Sequence, residues 1–323
     1  MIYLNEKDLL NIGVEWDTLV GEIKKAVECL DKKDFSQPIK PYLRYRNLKN
    51  RIISMPAFVG GEIDMAGIKW IASFPDNIYE NIPRAHSVVI LNEANTGIPV
   101  GIVNTATLSM IRTASVSGLM IKKYMEVRDK SKIKLGIIGW GPIGQHHLKM
   151  CASILGDKIE SVRLFDKRPI IRKEDITWME QEKIEIVDSW QEAYKDADIF
   201  MTCTVSDMPY IDLPPKQGSL QLNVSLRDYK DEYVKYVRNA IIVDDWEEVC
   251  REKTDIEMMN RYQGLKEEEC YTIQQAVCHN IMEDIEPNQA IMFNPMGMSV
   301  FDITIGAYYL RQAQKMGIGT SLL

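Results

Sequence analysis

The stretch Ile133-Lys-Leu-Gly-Ile-Ile-Gly139-Trp-Gly-Pro-Ile-Gly144 decides the fold. Its first six residues form a short apolar run of the kind a buried parallel strand requires, and helical patterning begins near residue 142. Between the two lie three glycines at the spacing GxGxxG. Alone, that spacing recurs by chance in many loops. Directly after a strand and at the opening of a helix, it is the fingerprint of a dinucleotide-binding turn. Gly139 permits the tight turn, Gly141 lets the backbone approach a pyrophosphate, and Gly144 lets helix and strand pack closely. The helix N-terminus adds free N–H groups and a positive dipole end. Gly139, Gly141, Pro142, Ile143 and Gly144 are therefore candidate cofactor-binding residues; the alternative is a structural turn that holds no nucleotide.

Asp166 ends the next apolar run, VRLFD, 22 residues after Gly144. A carboxylate there hydrogen-bonds the adenosine ribose hydroxyls and repels a 2′-phosphate, so the expected cofactor is NAD rather than NADP. Lys167 and Arg168 follow at once and would soften that preference. His146 and His147, in the first turns of the helix, read as surface or supporting residues rather than as catalytic ones.

Working outward, IEIVDS, ADIFMTCT, LQLNVS and AIIVDD continue the alternation, with a helical stretch expected near 172–182. Such alternation predicts an α/β fold: a Rossmann-type, doubly wound parallel sheet over residues 127–299. Upstream the pattern differs. Residues 17–31 have the spacing of an amphipathic helix, and RIISMPAFV and MAGIKWIA read as strands. HSVVILNEANTGIPVGIV reads as a hairpin turning at Asn95-Thr-Gly97, and 113–126 as a connecting helix. The tail SVFDITIGAYYLRQAQKM has Ile303, Ala307 and Leu310 on one helical face. It is expected to return to the first domain, making a discontinuous α+β substrate and dimerisation domain of residues 1–126 and 300–323.

The totals narrow the function. The chain has 323 residues, 46% of them hydrophobic, and a net charge of −7. There is no basic face or tail for nucleic acid, and no run near the ~18 apolar residues of a membrane span. The opening MIYLNEKDLL lacks a basic region followed by an apolar one, which speaks against a signal peptide. Six cysteines without a CxxC and four scattered histidines offer no metal-ligand spacing. A reduced, cytoplasmic, metal-free protein is the expectation.

Within MAGIKWIA, Gly67, Lys69 and Ile71 share one strand face, while Ile68 and Trp70 share the other. A lysine amid apolar neighbours either lies on a solvated face or meets an anion. Lys40, Arg44, Arg84 and Arg112 also stand among apolar residues. Together the five could form a cluster for a polycarboxylate, or be unrelated surface charges.

Seven segments, PYLR, SMPAFVGG, GIKW, IRTAS, GWGPIG, TCTVSD and NPMGM, follow in an order that resembles the ornithine cyclodeaminase/μ-crystallin family across nearly the whole chain. The longer stretches KPYLR, GIKWIASFPDN, VDDWEEVCREKT and the terminal IGTSL are similar to one branch of it. That branch releases L-2,3-diaminopropionate for siderophores of the staphyloferrin B type and for some peptide antibiotics. The resemblance implies a homodimer whose substrate is a polycarboxylate amino acid, N-[(2S)-2-amino-2-carboxyethyl]-L-glutamate. That substrate would be oxidised by NAD and hydrolysed to L-2,3-diaminopropionate, 2-oxoglutarate and NADH. It also implies residue roles. Arg44 would hold a substrate carboxylate, Lys69 would be the active-site lysine, and Met55 and Arg84 would line the substrate. Arg112 would serve substrate and cofactor phosphates, Asp228 would be the catalytic acid, and Thr204, Ser225 and Met296 would contact the cofactor. Ornithine cyclodeaminases carry an acid two residues before the Met of the Met-Pro pair. Here Ile53 precedes Met55-Pro56, which argues against an ornithine ammonium. The alternatives are another enzyme of the family (an ornithine cyclodeaminase, an amino-acid dehydrogenase or a ketimine reductase) or a non-catalytic, crystallin-like nucleotide-binding protein.

Overall fold

The computed structural model describes residues 1–322. The amino-terminal part runs β1 (Ile2–Leu4), α1 (Glu6–Ile12), α2 (Trp16–Asp31), β2 (Phe35–Ser36), β3 (Tyr42–Leu43), β4 (Arg51–Val59), β5 (Met65–Ser73), β6 (Ala85–Glu93), β7 (Pro99–Asn104) and α3 (Thr107–Val127). The middle continues with β8 (Ile133–Ile138), α4 (Pro142–Leu155), β9 (Ile159–Phe165), β10 (Ile184–Ile186), α5 (Trp190–Tyr194), β11 (Ile199–Thr202), β12 (Leu220–Leu222), α6 (Val234–Val237), β13 (Ile241–Val243), α7 (Trp246–Val249), α8 (Asp255–Gln263), β14 (Tyr271–Thr272), α9 (Ile273–Cys278) and β15 (Ile291–Asn294). The chain ends in α10 (Ser299–Met316) and β16 (Thr320–Ser321). Two compact units result: Met1–Ser115 with the segment from Gly297 onward, and Val116–Met296. The first junction lies inside α3, not at its end. The charged segment VRDKSK marks where the helix stops, whereas packing divides the helix nearer its middle.

The first unit is built on a sheet of order β16-β1-β7-β6-β5-β4-β2, with β3 also on β4. Its pairings are antiparallel except β1 with β7. The expected hairpin forms between β6 and β7. Its turn is held by Glu93, whose carboxylate accepts from the backbone N–H groups of Asn95 and Thr96 and from the Thr96 hydroxyl. Alternation divides the sheet sharply. One face carries Met55, Lys69, Val89 and Leu91, all buried. The other carries Ile52, Phe58, Ile68, Val88 and Ile90, all half-buried, and Trp70, which is 44% exposed.

Helix α10 lies on the buried face, against β4, β5 and β6, and α2 packs on it in turn. Ser299 to Leu310 are buried without interruption. The apolar stripe expected from Ile303, Ala307 and Leu310 is therefore part of a helix enclosed on all sides. Close approach depends on Gly67: a Cβ there would run into the Ile90 carbonyl and come within 2.9 Å of Ile303 Cδ1. The glycine two residues before Lys69, on the same face, lets α10 come near enough to reach it.

The second unit is a parallel eight-stranded sheet of order β10-β9-β8-β11-β12-β15-β13-β14. The chain runs outward from β8 to β9 and β10, then returns to β11 on the other side of β8. That reversal is the topological switch point at which open α/β sheets bind ligands, beyond the carboxyl ends of the strands. Two features depart from expectation. Residues 172–182 hold 3₁₀ turns, Lys173–Asp175 and Gln181–Lys183, instead of a helix. The stretch is mostly charged or polar, and without an apolar stripe it cannot bury a helical face. Strand β15, all four residues buried, occupies the space between β12 and β13 and was hidden in sequence by its overlap with the NPMGM motif.

Candidate active site

At the switch point, β8 is followed by Gly139, whose φ of +90° only glycine adopts readily, and a Cβ there would strike the Cys203 carbonyl. Gly144 likewise leaves no room for a side chain beside the Gly139 carbonyl. Gly141, the N-cap of α4, is different: a Cβ there would meet nothing within 4 Å. Open space above a helix N-terminus, with Pro142 and Ile143 as its first helical residues, is what an entering pyrophosphate needs. Asp166 stands at the end of β9, one carboxylate oxygen accepting from Trp140 N at 2.7 Å and the other from Arg168 N at 2.9 Å and Nε at 3.3 Å. The expected softening by Arg168 thus has a direct contact behind it. His147 is fully buried, its Nε2 2.9 Å from Ser117 Oγ, and burial drops its pKa to about 4. It is a neutral packing residue.

The same strand ends present a second group. Thr204 follows β11, and Ser225 and Asp228 follow β12. Asp228 is fully buried. Thr204 Oγ1 donates to its Oδ1 at 2.5 Å, the Ser225 hydroxyl donates to its Oδ2, and Ser225 also reaches Thr202 Oγ1 at 2.8 Å. The Tyr210 hydroxyl is raised in pKa by burial first and then by the neighbouring Asp228 carboxylate. A tight turn carries Asp228: Leu226 has φ +62°, and its N–H donates to Asn223 Oδ1 at 3.1 Å. Asp255 clamps that turn. Its Oδ2 accepts from Asp228 N and Tyr229 N, both at 3.2 Å, and from Asn223 Nδ2 at 2.9 Å, while its own N–H donates to Leu226 O at 2.8 Å. Burial pushes the Asp255 carboxyl up to about 7 against those donors. Met296, at the end of β15's segment, donates its N–H to Asp244 Oδ1 at 2.9 Å.

In the first unit, Lys69 meets its anion. Lys69 Nζ lies 2.9 Å from Asp302 Oδ1, and Arg112 Nε lies 3.0 Å from the same oxygen. Lys69 is 1% exposed, Asp302 0% and Arg112 8%. Lys40, equally buried, donates to the Gly297 carbonyl at 3.0 Å, and Gly297 rests against the Arg112 guanidinium. Burial lowers the Lys69 pKa to about 8; Asp302 pulls it back up, and Arg112 and Lys40 push it further down. Burial also works to raise Asp302, but Arg112 and Lys69 outweigh it and hold the carboxyl below its ordinary value. The solvated-face reading of Lys69 is thereby excluded. Met55 pairs directly with Lys69 across β4 and β5. Glu22, the other buried acid of this unit, is paired with Lys25 and Arg311. Lys69 and Arg112 thus share the single carboxylate of Asp302, two cations to one anion in a dry place.

Arg44 is half-buried, donates to Leu48 O at 2.9 Å and lies 5.4 Å from the Tyr42 ring centroid. Arg84 lies just ahead of β6, its carbonyl accepting from Phe74 N at 2.9 Å. Sequence reading missed Asp302, Asp255 and Tyr210. For Asp302 a signal was present, an acid in the otherwise apolar run SVFDITIGAYYL. Such an acid is enclosed only if the helix is surrounded, which periodicity does not reveal.

Comparison with known proteins shows which family and fold the chain shares. The chain is 33% identical to an N-((2S)-2-amino-2-carboxyethyl)-L-glutamate dehydrogenase of Staphylococcus aureus, covering 100% of this chain and 98% of the relative. It is 22% identical to an alanine dehydrogenase of Archaeoglobus fulgidus over 96% of this chain and 94% of that one. Its fold matches that of Thermococcus litoralis Δ1-pyrroline-2-carboxylate reductase in complex with NADH and L-proline, with a TM-score of 0.87 at 20% identity and complete coverage of both chains. An archaeal alanine dehydrogenase dimer with bound NAD superposes with a TM-score of 0.84 at 19% identity, over 100% of this chain and 99% of that one. The model of the ornithine cyclodeaminase/mu-crystallin family matches residues 10–315, and the chain belongs to that family.

Proposed function

We propose that this protein is an NAD-dependent oxidoreductase that opens a C–N bond in N-[(2S)-2-amino-2-carboxyethyl]-L-glutamate, releasing L-2,3-diaminopropionate, 2-oxoglutarate and NADH. The observation that carries this reading is the buried excess of cations around Asp302. A substrate with three carboxylates supplies the missing anions, whereas alanine or proline supplies one. The full-length relative at 33% identity supports the same reaction.

NAD fits the residues present: Gly139 and Gly144 let the turn and helix pack closely, Gly141 leaves open space where the diphosphate would sit at the α4 N-terminus, and Asp166 would hold the adenosine ribose. When bound, NAD supplies the hydride acceptor. The remaining chemistry falls to side chains of this chain. Lys69 and Arg112, with Lys40 behind them, hold carboxylates. Lys69 in its neutral form takes the proton of the secondary amine as hydride leaves the glutamate Cα, giving a C=N bond at that carbon. Water adds there, assisted by Asp228. Asp228 is fully buried, and the hydroxyls that donate to it belong to half-buried residues, so the proton reaches it through Thr204 or Ser225. The carbinolamine then loses its C–N bond, the amine leaving as diaminopropionate and the carbon as the ketone of 2-oxoglutarate.

The half-exposed apolar sheet face around Trp70 supports a homodimer as the working assembly. Among the described residues no helix is long and apolar enough to cross a membrane. The experiment is direct: incubate the protein with NAD and, separately, the conjugate, L-alanine, L-ornithine and L-proline. NADH should form with the conjugate, with diaminopropionate and 2-oxoglutarate identified by mass spectrometry in equal amounts. Faster NADH formation from alanine or proline would replace this assignment with an amino-acid dehydrogenase.

A further inference from the structure

We infer that Asp302 is a positioning residue for this chemistry: by sharing one carboxylate oxygen between Lys69 and Arg112, it governs how readily Lys69 gives up and regains a proton. The inference deepens the reading above and rests on Lys69 as the group that deprotonates the amine.

The geometry is unlike that of a structural staple. An arginine and a carboxylate brought together for stability favour a two-pronged fork, each oxygen receiving its own N–H. Here Arg112 offers Nε to the oxygen that already receives Lys69, at 3.0 Å and 2.9 Å respectively. Asp302 Oδ2, buried, has no hydrogen-bond partner among the described residues. Two cations thus share one oxygen while the other oxygen of the same carboxylate is left over. The three groups come from separate elements, β5, α3 and the first turn of α10, so the contact is fixed by the packing of the unit and not by one flexible loop.

The charged groups facing Lys69 are Asp302 from α10, Arg112 from α3 and Lys40 from the segment ahead of β3. Asp302 favours the ammonium, and the two cations favour the neutral amine. When neutral Lys69 takes the amine proton, one N–H bond breaks on the substrate and one forms on Nζ. Asp302 Oδ1 is in place to receive the new ammonium. If Asp302 were absent, Lys69 would stay neutral to lower pH but would hold the transferred proton poorly.

The test uses Asp302→Asn, close in shape but uncharged, and Asp302→Glu, which keeps the charge. Two quantities are followed across pH: kcat/KM on the conjugate, which reports groups of the free enzyme, and competitive acetic anhydride labelling of Lys69 read by mass spectrometry. In Asp302→Asn both acid-side midpoints should fall by at least about one unit, a tenfold change in the neutral fraction of Lys69 at a given acidic pH. Asp302→Glu should restore the midpoints while kcat stays reduced. A uniform loss of activity with unmoved midpoints would make Asp302 a strut and overturn the inference. If melting and NAD binding show that Asp302→Asn does not fold, Arg112→Gln decides. Asp302 then serves Lys69 alone, and the labelling midpoint should rise; an unchanged midpoint overturns the inference. Labelling needs no turnover, so a wild-type protein inactive on the conjugate would defeat the substrate assignment while leaving this question answerable.

Discussion

Lys69 sits in a nine-residue strand with no other charged side chain, and that isolation is what made it conspicuous in sequence. Its partner was not conspicuous, because an acid in a helix normally signals an exposed face and helical spacing alone does not say that α10 is enclosed. Replacing Lys69 by alanine leaves Asp302 with Arg112 only and removes the proposed proton acceptor. Asp228→Asn keeps the hydrogen-bonding shape beside Thr204 and Ser225 but cannot take a proton. Each should lower kcat for the conjugate by about 10²–10⁴-fold, measured as NADH formation. Near-normal turnover in both would refute the roles assigned to them. Asp166 was legible from its spacing after the glycines. Its wild-type preference should be for NAD; Asp166→Ala should weaken NAD binding and, with Arg168 released, narrow the gap to NADP, as titration of both nucleotides would show.

Elements were legible where the pattern was strong. The β6–β7 hairpin announced its turn, and the β8–α4 unit its glycines. The segment 172–182 lacked a face to bury, and β15 was too short to stand apart from its flanking motif. Asp198 illustrates what lies between those extremes. It stands just ahead of β11, with Lys130 Nζ at 2.5 Å, Lys216 Nζ at 2.7 Å and Lys134 N at 2.9 Å, and so ties the starts of β8 and β11 together. Burial works to raise its pKa, but the two lysines outweigh that and hold it below the ordinary carboxylate value. Asp198→Asn should cost about 1–3 kcal/mol in urea unfolding at neutral pH, toward the lower end because both lysines can turn to water. A carboxyl depressed in the folded state stabilises above its unfolded pKa and loses that contribution as pH falls. The gap between variant and wild type should therefore close below about pH 4. A gap independent of pH would mean that the ion pairs contribute nothing.

At the scale of the molecule, the parallel sheet and its nucleotide turn could be argued from one dozen-residue stretch, because strand, turn and helix follow there without interruption. The first unit could not, since its core helix comes from the far end of the chain and its sheet keeps one apolar face only half-buried. Trp70 lies near the middle of that face, opposite Ser54 and Val88. Trp70→Glu would set a charge there without disturbing the α10 side. Sedimentation velocity should give a dimer for the wild type and a monomer for the variant at the same concentration. Equal masses would remove the sheet face from consideration as the contact.

Strand β1 pairs with β16, and Leu322 N donates to Met1 O at 2.8 Å, so the first and last described residues lie side by side. During synthesis this has an order built into it. The second unit can close as it leaves the ribosome, but the first must wait, its sheet uncovered on both faces, until α10 and β16 emerge. For that interval the nascent chain carries Lys69 and Arg112 with no carboxylate between them, and it is then that a chaperone has most to protect.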